Sequence, residues 1–103
     1  MKIVRVQYST TAEYAATNKA NIANITMELR QLNHPGIKYG AYLLPDGKTF
    51  MHFDQFESEE AHQILTSLGS FKKFAAELEA SSLEAAPKLE LLSLVAATDD
   101  FFD

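Results

Sequence analysis

The 103-residue sequence contains no cysteine. That excludes disulfides, thiolate metal ligands and thiol nucleophiles together, and it fits a reducing compartment. Basic residues are few, 9 against 14 acidic ones, for a formal net charge of −5. They form no stripe of the kind that displaces phosphate counterions, so no nucleic-acid partner is expected. The longest apolar run, around "LLSLVAA", falls far short of the ~20 residues that span a bilayer, so no membrane partner is expected either. The opening "KIVRVQY" reads as a strand rather than a signal peptide. The three histidines lack metal-ligand spacing. The expectation is a soluble, cytoplasmic protein with no metal and no cofactor.

What is present is enough for a core: 47% of residues are hydrophobic and 11% aromatic, in a length typical of one domain. "KIVRVQYS" alternates and carries β-branched residues, which predicts a strand. Thr10 and Glu13 have capping-box spacing, and Tyr14, Asn18, Ile22, Ile25, Leu29 and Leu32 follow at helical spacing until Pro35 and Gly36. "IKYGAYLL" and "TFMHFDQF" flank Asp46-Gly47, a strong hairpin signal. That turn sets Leu43 opposite Phe50, Ala41 opposite His52 and Tyr39 opposite Asp54. Ser58 is an N-cap for a helix in two pieces, interrupted at Gly69-Ser70. "KLELLSLVAA" is a last strand, and about residues 97–103 form an acidic, aromatic tail expected either to fray or to lay Phe101 and Phe102 on a partner subunit. The order β-α-β-β-α-β predicts an α+β, ferredoxin-like fold with a four-stranded antiparallel sheet over residues 1–103.

Alternation divides the strands into two faces. One carries Tyr39, Ala41, Phe50, His52 and Asp54; Ile3, Arg5 and Gln7 are assigned to the same side. The other carries Tyr42, Met51 and Phe53, with Val4, Val6 and Tyr8 assigned there. Two helices cover one face only, and leaving the second wet exposes more apolar surface than monomers tolerate. A homodimer with sheets packed face to face is therefore expected.

The order of elements, "HPGI" before the second strand, and "FDQFESEEA" leading into "LTSLGSFKKF" resemble the antibiotic biosynthesis monooxygenase-like family of the dimeric α+β barrel superfamily. The resemblance runs from Lys2 to about Val95. It implies a homodimer and, in several members, a pocket between sheet and helices. The family holds cofactor-independent oxygenases of aromatic polyketides, haem-degrading enzymes and members of no known activity. At the positions matching the haem-degrading Asn, Trp and His this chain has Gln7, Ile64 and about Ala75, and it has no tryptophan at all. Haem degradation is not expected. Of the polyketide oxygenases' Trp, Asn, Tyr and Arg, only Tyr39 and Arg5 offer equivalents.

His52 and Asp54, two apart on one strand, share a face. A carboxylate beside an imidazole can orient it as a general base, with Arg5 holding an enolate or phenolate oxygen and Tyr39, Gln7 and Asn18 contacting the substrate. The alternative is a satisfied polar pair inside an apolar layer. Asn18 and Asn21 read as solvated helix surface if they do not face the pocket. His34 reads as a helix-end cap and His62 as surface. Two functions stay open: a cofactor-independent monooxygenase or related enzyme acting on a hydrophobic aromatic or enolisable small molecule, and a non-catalytic homodimeric module binding a ligand or protein.

Overall fold

The computed structural model describes residues 1–100; Phe101 and Phe102 of the aromatic tail lie outside them. Its elements are β1 (Lys2–Ser9), α1 (Ala15–Leu32), β2 (Ile37–Leu43), β3 (Thr49–Phe56), α2 (Glu59–Ser67), α3 (Gly69–Ala80) and β4 (Ala85–Leu92). The strands form one antiparallel sheet in the order β2-β3-β1-β4. The helices lie on one side of it, and α1 packs on α3. This is the ferredoxin-like arrangement, with its second helix split.

Local chemistry accounts for most boundaries. Gly47, at φ +77°, supplies the left-handed residue of the β2–β3 turn, and Asp46 accepts hydrogen bonds from the Lys48 and Thr49 amides at 3.0 and 2.8 Å. The expected hairpin register follows: Tyr39 faces Asp54 and Ala41 faces His52. Ser58 caps α2 by accepting the Ala61 amide at 3.2 Å. The helix then breaks one residue before the glycine, at Leu68, whose backbone is extended. The α3 start is capped from another helix: Glu28 of α1 accepts the Ser70 amide at 3.1 Å. A carboxylate suits that end of a helix, where unpaired amides and the dipole leave positive charge.

Three expectations fail locally. The Thr10–Glu13 capping box does not form; Thr10 bonds to the Lys48 carbonyl, and Thr11 receives the Tyr14 amide at 3.2 Å. The last strand starts and ends earlier than its apolar run, spanning Ala85–Leu92. Pro87 sits within it because β4 is an edge strand, where a missing donor costs no ladder bond. His34 closes its loop by accepting the Gly36 amide on Nδ1 at 2.9 Å, and the end of α1 is capped by Asn33 instead.

The largest correction concerns β1. Val4 pairs with Asp54, Val6 with His52 and Tyr8 with Phe50, so Val4, Val6 and Tyr8 share the helix-covered side with His52 and Asp54. Arg5 and Gln7 lie on the opposite face with Met51 and Phe53. A one-residue difference in pairing moves every side chain of a strand to the other face. The physical reason for this choice is burial: the apolar parity of β1 goes under the helices, where Val4 and Tyr8 join Phe50, Phe56, Leu65 and Phe74 in the core.

Candidate functional site

Beneath α2 and α3 lies a cavity of about 560 Å³, within the range that encloses small organic ligands. Its floor is the sheet, with Val4, Tyr8, His52 and Asp54; Leu65, Phe71, Phe74 and Leu78 form the helical wall. It opens toward β4, where no helix covers the sheet. There Leu89 is 61% exposed, beside Pro87 and Glu79.

A buried polar chain runs through the floor. Asn18, fully enclosed on α1, donates from Nδ2 to the Tyr8 hydroxyl at 2.8 Å. That hydroxyl lies 2.8 Å from His52 Nε2, and the Tyr39 hydroxyl lies 3.1 Å from His52 Nδ1. Because Tyr8 already accepts from Asn18, its proton is best used on Nε2. Nδ1 then carries the ring proton and gives it to Tyr39. Packing holds the imidazole as well: the Tyr8 and Phe74 rings lie 5.5 and 5.3 Å from it, centroid to centroid.

Burial lowers the His52 pKa to about 4, so at neutral pH the ring is uncharged. Burial likewise pushes both tyrosines up, well beyond the phenolate range of solution chemistry. Asp54 stands apart. It is 8% exposed, its Oδ1 is buried with no hydrogen-bond partner, and burial raises its pKa to about 7. A buried carboxylate is ordinarily paired. This one is not, and it lines the cavity.

Of the residues expected at the site, the structure brings together His52, Asp54, Tyr39 and Asn18, and separates Arg5 and Gln7. His52 and Asp54 share the face, but both ring nitrogens go to tyrosines and the aspartate does not orient the imidazole. Arg5 works on the other side of the sheet, with Nη1 2.6 Å from Glu90 Oε1 and Nη2 donating to Gln7 Oε1 at 2.6 Å. Asn18 and Asn21 are buried, not solvated; Asn21 donates to Glu77 of α3 at 2.8 Å. His62 is half-buried at the cavity wall and stacks on Phe56, with centroids 4.4 Å apart. Tyr8 went unrecognised, although its place on the apolar parity of β1 was a usable signal. Among the described residues no group of three potential ligands could hold a metal ion, and no helix is long and apolar enough to cross a membrane.

No family model and no curated protein matches the sequence, whereas solved structures match it over nearly its full length. One is an antibiotic biosynthesis monooxygenase, 15% identical, with 93% of this chain and 100% of that one covered and a TM-score of 0.78. A Mycobacterium tuberculosis protein gives 14% identity, 95% and 98% coverage and a TM-score of 0.78. A Pseudomonas aeruginosa protein gives 16%, 92% and 94%, and 0.76. At these identities the likeness establishes a shared fold, the one the sequence motifs led to.

Proposed function

We propose that the protein is a small-molecule enzyme of the cofactor-independent monooxygenase kind, acting on a hydrophobic aromatic or enolisable substrate above Asp54. The observation that carries the proposal is the unpartnered Asp54 carboxyl, raised to about 7 by burial in an apolar cavity. A general base works best with its pKa near the working pH. At about 4, His52 is too weak for that role, and we assign it, with Tyr8, Tyr39 and Asn18, to positioning. The shared fold with an antibiotic biosynthesis monooxygenase agrees with this reading.

In the proposed reaction Asp54 takes a proton from an activated methylene, and the electron pair delocalises into the adjoining carbonyl as an enolate. Dioxygen, the oxidant, adds at that carbon and accepts the proton back from Asp54, giving a hydroperoxide. Breaking the O–O bond with loss of water leaves a new carbonyl. The balance is R2CH2 + O2 → R2CO + H2O.

We further propose a homodimer through the open sheet face. Met51, Phe53 and the 61%-exposed Tyr42 lie there. The face is more polar than the sequence pattern implied, because Arg5, Gln7 and Glu90 form a network on it.

Oxygen uptake with polycyclic phenols and ketones tests the activity. Asp54→Asn is expected to lower kcat by roughly 10²–10⁴-fold while KM changes little. An unchanged kcat removes Asp54 as the base.

A further inference from the structure

The charges around Asp54 restrict what can bind above it. From β3 its neighbour is His52, neutral and bonded on both nitrogens; from β1 and β2 come Tyr8 and Tyr39, whose protons burial retains. His62 of α2 has its pKa lowered, chiefly by burial, and α3 contributes Glu79, a second carboxylate at the mouth. Among the described residues no lysine or arginine lines the cavity. Lys2, which influences His62, is paired with Glu59 at 2.9 Å. A desolvated carboxyl thus faces an apolar, aromatic-walled space with no counter-ion and no donor for its Oδ1.

We propose that the cavity selects its ligand by charge, accepting hydrophobic molecules that present a hydrogen-bond donor to Asp54, as a neutral phenol or enol or as an ammonium, and rejecting carboxylates and phosphates. The inference rests on the cavity being the substrate site and narrows the substrate class to uncharged proton donors. An anionic ligand would meet the Asp54 carboxylate with nothing to neutralise it where the low dielectric strengthens repulsion, while Glu79, exposed to solvent, adds only a screened repulsion. An ammonium would supply the missing counter-ion and gain from the faces of Phe71, Phe74 and Tyr8. Ammonium analogues of the substrate are therefore tight competitive ligands.

The test is equilibrium binding of three probes with one aromatic body, namely naphthylmethanol, naphthylmethylamine and naphthoate, to the intact protein. At about pH 8 the expected order is amine tightest, alcohol next and naphthoate at least tenfold weaker than the alcohol, a gap of about 1.4 kcal/mol or more. At about pH 5, with Asp54 protonated, the gap between alcohol and naphthoate narrows several-fold. Asp54→Asn narrows it at about pH 8 and leaves it nearly unchanged at about pH 5, and the wild-type series decides the matter even if that variant does not fold. Naphthoate binding as tightly as the alcohol overturns the charge selection and leaves the cavity as a binding site. Failure of all three probes to bind overturns both.

Discussion

Replacing Asp54 with asparagine is expected to stabilise the protein progressively as pH rises, because the wild-type carboxyl is held where ionisation is unfavourable. Its pKa moves from 3.8 to about 7 on folding, through burial alone. The folded state keeps a proton that the unfolded state releases. The associated stability is therefore full below pH 3.8 and lost as pH rises through 7. Over that interval the loss comes to about 4 kcal/mol. His52 works in the opposite sense: its pKa falls from 6.5 to about 4, so stability is lost as pH falls through that window, by about 3 kcal/mol. Between pH 4 and 6.5 the two effects oppose each other with equal slopes, and the wild-type profile is close to flat. The asparagine variant keeps only the His52 effect, and its stability climbs across the same window. Urea unfolding followed by circular dichroism, for both proteins at several pH values between about 4 and 8, reads the difference directly. Any constant cost of an unpaired amide cancels when the gap is compared across pH. A gap that stays the same from acid to alkaline pH would refute the account of Asp54 as a buried, unpaired carboxyl.

Other changes probe neighbouring parts of the structure. Tyr8→Phe removes the hydroxyl between Asn18 and His52 and leaves two buried groups without a partner, which is expected to cost about 1–3 kcal/mol and to shift the NMR resonance of His52 Nε2, which loses its donor, more than that of Nδ1. Phe53→Glu, on the open sheet face opposite the cavity, is expected to convert the proposed dimer to a monomer in sedimentation while leaving naphthylmethanol binding intact. Glu28→Ala removes the cap on α3. The Ser70 hydrogen bonds hold the Glu28 carboxyl below its usual value, so the wild-type advantage in melting temperature is present above about pH 4.5 and lost as pH falls through the depressed pKa. A difference in melting temperature that does not shrink in acid would contradict the capping role.

Much of the fold was legible in local chemistry. Asp46-Gly47 fixed a hairpin register that the structure keeps, and Ser58 marked a helix start that is there. The shared face of His52 and Tyr39 followed from that same turn. Less of the site was legible. Asn18 was named as a ligand contact yet read more naturally as solvated surface, because polar residues on a helix are usually wet. Here the asparagine is enclosed between helix and sheet and spends its amide on Tyr8. Arg5 was assigned to the site by placing its parity of the first strand on the His52 side, and it is satisfied by Glu90 on the far side of the sheet. His62, at the start of an acidic helix, looked exposed until Phe56 came under it.

The sequence by itself determined the order of strands and helices and the β2–β3 pairing, because turns, caps and periodicity act over a few residues. Only the tertiary structure decided which parity of β1 lies under the helices. That pairing joins segments some fifty residues apart, such as Val4 and Asp54, and no turn links them to set the register. The choice goes to whichever alternative buries more apolar surface in the assembled core. It places Val4 and Val6, rather than Arg5, opposite Asp54 and His52, and so leaves the carboxyl without a counter-ion.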